Sequence, residues 1–380
     1  MYRQFWISAV LTCAVYIGCE AQQAFNYRKI PAGYISKSGL DAYRKEADGI
    51  AATAFDLTSA LPQGYVKDGS VDYTDQLQTA LSAHTNVVMP DFPVMVNDKG
   101  LQLKSNSNVV FRPHSAIILQ PTDKKKYAIL SIREADNVKV YFPVITGDRD
   151  QHKGSEGEWG MGIDIRSANN VTLVNPVVSK CWGDGICIGQ SVKTKVPNNI
   201  SIYNAVVDYN RRNGITVGCV KGLKIVKPVV ANTSGTLPMS GIDIEPNGSW
   251  EMIDDVLIDQ PLTFNNAKCG IVIGLSRLPG AQPKDVNITI NKHMDDGSNV
   301  GFWMGGTDAS YAQGLVPLKG SIQVIDPVWK NNATPFRGAK TYDFAPVSKF
   351  KNISIMKAGS NNEVEKLKRQ QSNKKNLEIE

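Results

Sequence analysis

Gly162-Ile-Asp-Ile-Arg-Ser-Ala-Asn-Asn-Val-Thr-Leu-Val-Asn-Pro176 carries two short alternating segments joined by a turn. Ile163 and Ile165 alternate with polar neighbours, then Val171 and Leu173 do the same. Strict alternation over four or five residues means a half-buried strand. Both segments recur. The first returns as Gly185-Ile-Cys-Ile188, Gly214-Ile-Thr-Val217, Gly241-Ile-Asp-Ile244, Gly270-Ile-Val-Ile273 and Gly301-Phe-Trp-Met304, at intervals of 23, 29, 27, 29 and 31 residues. The second appears as Asn137-Val-Lys-Val-Tyr-Phe-Pro143, Gly222-Leu-Lys-Ile-Val-Lys-Pro228, Asp255-Val-Leu-Ile-Asp-Gln-Pro261 and Ser321-Ile-Gln-Val-Ile-Asp-Pro327. Asn199-Ile-Ser-Ile and Asn352-Ile-Ser-Ile are the same unit without the proline. A short strand cannot bury its apolar face alone, but stacked copies at a near-fixed period can. No helical period separates the strands, which argues against a βαβ fold. A propeller blade needs about forty residues, more than these intervals allow. The expected fold is an all-β solenoid.

The 380 residues are 42% hydrophobic and 21% charged, which excludes a disordered chain and a cysteine-framework miniprotein. Net charge is 42 − 36 = +6, a mild surplus. No recognition helix or base-stacking motif accompanies it, so no nucleic-acid partner is expected. No P-loop, Rossmann glycine pattern, HExxH or Gly-x-Ser-x-Gly elbow occurs in a credible context. Asn170, Asn199, Asn232, Asn287, Asn332 and Asn352 sit in Asn-x-Ser/Thr triplets. Several open the repeat, and Asn tolerates left-handed turns, so these read as coil corners rather than glycosylation sites.

Residues 1–21 read as an export signal, with an apolar run over 5–18 behind Arg3. Tyr16-Ile17-Gly18-Cys19 resembles a bacterial lipoprotein box that would lipidate Cys19, whereas Cys19-Glu20-Ala21 offers ordinary cleavage. Both readings stay open, so the protein is expected to be exported, as a periplasmic, cell-surface or secreted chain. Cys181, Cys187, Cys219 and Cys269 lie beside apolar runs without a CxxC pair and read as buried free thiols. Residues 22–66 lack the repeat and form an N-terminal extension. The solenoid is expected over 67–358, and 359–380 as a polar tail, frayed or forming a short terminal helix.

These repeats resemble the right-handed parallel β-helix proteins of the pectin-lyase-like superfamily. The resemblance covers Asp68 to Ile355. It implies a helix over Asp68–Ser82 capping the first coil, with Asp72 or Thr74 at its N-terminus and Leu77, Ala80 and Leu81 facing inward. Such a helix covers an exposed sheet edge.

In Gly-Ile-x-Ile-x the x residues point outward. In register they give one column of Asp164, Cys187, Thr216, Asp243, Val272 and Trp303. A second column holds Arg166, Gly189, Gly218, Glu245 and Gly274. The glycines would leave room for a ligand beside Glu245, or would simply make turns. Turns before the strands add Trp159, Trp182, Asp184, Arg211 and Arg212. The charged loop Gly147–Gly154 carries His152 and reads as a substrate-contacting loop or a solvated one. Asp184, Asp243, Glu245 and Asp164 are the candidate catalytic acids, because paired carboxylates flanking a glycosidic bond can act as acid and base or nucleophile. Arg166, Arg212, Arg211, His152, Trp159, Trp182 and Trp303 are the candidate substrate contacts, since aromatic rings offer flat apolar faces to sugars.

Family-28 glycoside hydrolases of the polygalacturonase type carry Asn-Thr-Asp, Asp-Asp, Gly-His-Gly and Arg-Ile-Lys on successive coils. This chain is similar in spacing, with Gly160-Met161-Gly162, Gly183-Asp184, Arg212-Asn213-Gly214 and Asp243-Ile244-Glu245. Only Asp184 matches a catalytic acid. Asn213 replaces the histidine, and two acids replace the cationic clamp that suits a uronate. Polygalacturonate hydrolysis by that mechanism is therefore not expected.

The leading expectation is a glycoside hydrolase acting on a polysaccharide or oligosaccharide held in a groove. The alternative is a polysaccharide lyase or uronan epimerase with Arg212 or Arg211 as base or neutraliser and a contribution from His152. The third is a non-catalytic glycan-binding surface protein. No cofactor is expected. Calcium is left open, since the acids could hold it, but no EF-hand or nonapeptide calcium repeat is present. A monomer is expected.

Overall fold

The computed structural model describes residues 25–306, 314–356 and 362–380. The apolar leader and Cys19 lie outside them. The chain winds into a parallel β-solenoid built of three sheets with twelve, ten and nine strands, here sheets I, II and III. One coil shows the order: Trp159–Arg166 in sheet III, Asn169–Val174 in sheet I, Val177–Ser179 in sheet II, then Ile186–Gly189 back in sheet III. Every strand pair is parallel, Ile163 lying beside Ile186 and Val171 beside Ile200. The two sequence repeats are sheets III and I. Sheet II was not anticipated. Eight of its ten strands are three residues long, as in Val206–Asp208 and Val229–Ala231, whose Val-Val-Asp and Val-Val-Ala do not alternate apolar with polar residues.

Inside the coil Ile163, Ile165, Ile186, Ile188, Ile242 and Ile244 stack, all fully buried. Each contributes about 1.5–3 kcal/mol relative to exposure. The corners are left-handed. Asn137, Asn170 and Asn199 have φ of 59°, 53° and 56°, and each donates its amide to the asparagine one coil earlier at 2.8–2.9 Å. This ladder is why the Asn triplets recur.

The glycine opening each sheet III segment has another cause. A Cβ on Gly162, Gly214, Gly241 or Gly270 would lie 2.6 Å from the carbonyl oxygen of the equivalent glycine one coil on. Gly241→Ala is therefore expected to destabilise the protein by about 1–3 kcal/mol through overpacking, read from denaturant unfolding. An unchanged midpoint would show that the coils can separate there at no cost.

The extension over 22–66 wraps the solenoid where it is described. Helix α1 (Asp41–Ala51) packs Leu40 and Ala47 against Val88, Val110 and Tyr141 on the outer face of sheet I. Phe55–Asp56 adds a strand to one end of that sheet by pairing with Val87–Val88. Helix α2 (Thr74–Ala83) follows, with Asp72 accepting from the Thr74 N–H at 2.9 Å and Leu77, Ala80 and Leu81 buried in the core. At the other end, helix α3 (Glu363–Gln371) leads to Leu377–Ile379, which pairs with Val347–Lys351. The polar tail thus supplies the last strand of sheet I.

Candidate functional site

The column of outward residues follows the register. Asp164 pairs with Cys187, Cys187 with Thr216, Thr216 with Asp243, Asp243 with Val272, and Val272 with Trp303. Arg166 pairs with Gly189, and backbone hydrogen bonds carry the second column through Gly218, Glu245 and Gly274. None of Gly189, Gly218 and Gly274 has a positive φ, so turn geometry does not demand glycine there. A Cβ at Gly218 or Gly274 would sit in ordinary contact, 3.6 Å from Asn247 Nδ2 and 3.8 Å from Glu245 Cγ, so no close approach demands glycine at either position. At Gly189 the space is taken by the Arg166 guanidinium.

The four candidate acids separate into two classes. Asp184 is fully buried, and both its oxygens accept from Arg212 Nη1, at 3.1 and 2.9 Å. It also accepts from the Asn213 N–H at 3.1 Å. Burial pushes the Asp184 carboxyl up, while Arg212, Thr216 and Asn213 hold it down. Against its own burial, the Arg212 guanidinium is held charged by Asp184. A second acid, Glu158, lies 3.4 Å from Arg212 Nε. Asp164 is likewise closed, its two oxygens taken by Arg166 Nε at 2.6 Å and Arg133 Nη2 at 3.0 Å. Of the four candidate acids, Asp184 and Asp164 are thus the two engaged directly by arginines. Both are ion-paired, whereas Asp243, equally buried at 1% exposure, has no ion-pair partner among the described residues.

Asp243 and Glu245 remain. The Asp243 carboxyl accepts from Asn213 Nδ2 at 2.9 Å, and Asn213 also donates to Thr216 Oγ1 at 3.0 Å. Burial first, then the charge of Glu245, push Asp243 up to about 8, against the lowering effect of Arg212 and the Asn213 amide. Glu245 is half-buried. Two residues apart on one strand direction, their Cα atoms lie roughly 6.6 Å apart. The pair thus offers one carboxyl that keeps its proton near neutral pH and a second acid nearer solvent.

The raised acid has a consequence for stability. An unfolded aspartate titrates near 3.8 and the folded Asp243 near 8. Between those values the folded chain keeps a proton that the unfolded chain has lost. The stability this supplies is full below about pH 4 and is lost as pH rises through about 8. The gap corresponds to roughly 6 kcal/mol. Asp295, pushed up to about 7 by burial, adds to the same slope. Melting temperature is therefore expected to fall from pH 5 to pH 9, and Asp243→Asn to flatten that fall. An equal fall in both proteins would mean that Asp243 ionises normally.

Other candidates have structural partners. The His152 side chain is fully buried, with Nδ1 2.7 Å from Asp148 and its ring stacked 4.0 Å from Trp182. Arg211 covers the other face of Trp182 at 3.8 Å. His152 thus props the Trp182 ring. Arg211 is committed to the same sandwich and donates to the Gly157 carbonyl at 2.7 Å. Trp303, at the far end of the column, carries Arg337 4.6 Å above its ring. Trp159 is 52% exposed. It lines a groove of about 660 Å³ with Lys126, Arg133, Asp164, Arg166 and Gln190. Lys126 and Arg133 were missed. Leu130-Ser-Ile-Arg133 has the same alternation as Ile163-Asp-Ile-Arg166 and pairs with it, but no glycine opens it. Among the described residues, no three histidine, cysteine or carboxylate groups converge as a metal site, and no helix is long and apolar enough to cross a membrane.

No known family profile matches the chain. The uncharacterized protein YclG of Bacillus subtilis (strain 168) is 24% identical over 241 residues, 55% of this chain and 40% of the relative. The chain spans two fifths or less of the length of the curated relatives it matches. Among solved structures, the N-terminal fragment of bacteriophage phi29 gene product 12 superimposes with a TM-score of 0.57 at 15% identity, covering 83% of this chain and 60% of that one. An iota-carrageenase complexed to iota-carrageenan fragments gives 0.57 at 9% identity, covering 82% and 92%. The chain is a parallel β-solenoid, a fold it shares with these solved structures.

Proposed function

We propose that the protein is an exported, polysaccharide-active glycoside hydrolase, with Asp243 as proton donor and Glu245 as the second carboxylate. The observation carrying this reading is the buried, proton-retaining Asp243 beside the more exposed Glu245, on the outward side of one strand flanked by Gly218 and Gly274. Asp243 gives its proton to the glycosidic oxygen as the bond to the anomeric carbon breaks. Glu245 stabilises the positive charge that develops on the ring, and water adds its hydroxyl to the anomeric carbon while its proton passes to the Asp243 carboxylate, which restores the acid. Asn213 positions Asp243, and the ion pair of Asp184 with Arg212 holds the Asn213 backbone. Support for a glycan as ligand comes from the iota-carrageenase neighbour, whose structure holds carrageenan fragments.

Elimination is the weaker reading. It needs a base at the sugar ring, and Arg212 is held charged by Asp184, the opposite of what a base requires. The test is a panel of polysaccharides followed for new reducing ends and for unsaturated, ultraviolet-absorbing products. Reducing ends without unsaturation are expected. Unsaturated products would overturn hydrolysis in favour of a lyase.

A further inference from the structure

We propose that the groove beside Trp159 holds an acidic sugar unit, carboxylate- or sulfate-bearing, while the unit at Asp243 and Glu245 is neutral. The proposal rests on the hydrolase reading and adds a substrate class to it. The groove presents Lys126, Arg133 and Arg166 against the single carboxylate of Asp164, a surplus of 3 − 1 = +2. Asp164 spends one oxygen on each arginine, which fixes both guanidinium groups without neutralising both. Arg133 is 42% exposed at its side chain and has one of its five N–H donors engaged by Asp164. The Trp159 ring lies opposite Lys126 in the sheet and is open to solvent. A flat ring beside fixed guanidinium groups suits a sugar whose one face is apolar and whose substituent is anionic.

Charge reverses along the axis. The rungs run from Asp164 through Cys187 and Thr216 to Asp243, three steps. At about 4.8 Å per step the two ends stand about 14 Å apart, a few sugar units along an extended chain. At the far end the Glu245 carboxylate, beside the protonated Asp243, would repel a carboxylate or sulfate. A glycan lying along the axis is thus read by charge at one end and cut at a neutral unit at the other. That pattern fits a heteroglycan with spaced acidic sugars better than a uniformly charged chain.

The test is equilibrium binding of three probes of equal length: a carboxylate-bearing oligogalacturonate, a sulfated oligosaccharide and a neutral cello-oligosaccharide. A single-stranded oligonucleotide serves as a non-sugar polyanion. At least one acidic sugar probe is expected to bind ten-fold or more tightly than the neutral one, and to weaken with salt. Arg133→Gln and Lys126→Gln are each expected to cost that probe several-fold and to leave the neutral one unmoved. Lys126 is exposed, so its replacement tests charge without disturbing packing. The carboxylate and sulfate arms tell which anion is read. Equal binding of acidic and neutral sugars, indifference to both substitutions, absence of sugar binding, or preference for the oligonucleotide would overturn the proposal. Loss of charge selectivity with turnover intact removes this subsite and leaves the hydrolase. Selective binding with no turnover on any polysaccharide removes the hydrolase and leaves the subsite.

Discussion

Asp243→Asn is expected to lower turnover about 10²–10⁴-fold, the range for loss of a general acid, while leaving glycan binding within a few-fold of wild type. The substitution keeps the shape of the side chain. The Asn213 amide donates to Asp243 at 2.9 Å, and an asparagine oxygen can accept the same bond. What disappears is the proton. In the wild type burial and the Glu245 charge hold that proton to about pH 8, so the alkaline limb of the wild-type profile is expected near that value. The residual activity of the variant should lack that limb. Rates on the best polysaccharide of the panel, measured from pH 5 to pH 9 for both proteins, check the prediction. A variant with full activity would remove Asp243 from the chemistry. A variant that also lost binding would point to a collapsed site rather than a missing acid.

Arg212→Met is expected to cost about 3–5 kcal/mol of stability at neutral pH, the usual result of stranding one partner of a buried pair. Asp184 is fully buried and both its oxygens accept from the Arg212 guanidinium. Without the arginine its charge has only the Asn213 N–H and Thr216 to face. The loss should grow as pH rises, because protonation of Asp184 relieves it at low pH. Adding Asp184→Asn should recover part of the deficit, which separates charge stranding from lost packing. Denaturant melts of the single and double variants at two pH values give the answer. Equal melts for wild type and Arg212→Met would mean that Asp184 is neutral in the native protein.

The architecture was legible because two of its three strands per coil repeat an apolar–polar alternation behind a fixed glycine or turn residue. Gly241-Ile-Asp-Ile244 and Gly214-Ile-Thr-Val217 align by eye, and their Cα partners are those the repeat implies. The segment Val229–Ala231 is no shorter than Ile242–Ile244, but its residues do not alternate, and its only mark is a pair of valines after Pro228. The column holding Asp164, Thr216 and Asp243 was equally readable, since side-chain direction follows from alternation. What the sequence could not disclose is which acids are already engaged. Asp164 is closed by Arg133, which lies one coil earlier in an unrecognised copy of the strand. Asp184 is closed by Arg212, which reaches it from the next coil's turn. Such partners depend on side-chain reach across coils, not on strand period. His152 shows the same limit. A charged loop suggested exposure, but Asp148 and the Trp182 ring draw the imidazole inward.

The paired rungs also bear on how a molecule of this kind can diversify. Each turn of the chain is held chiefly by the turn above and the turn below, so one can be inserted or removed without redesigning the ends. Insertion between Arg166 and Ile242 would shift the cationic floor away from Asp243 by one step, and deletion would bring it one step nearer. The winding is thus a graduated scale. Lineages could match it to glycans of different repeat length by changing the number of divisions, while the chemistry at each end stayed as it was.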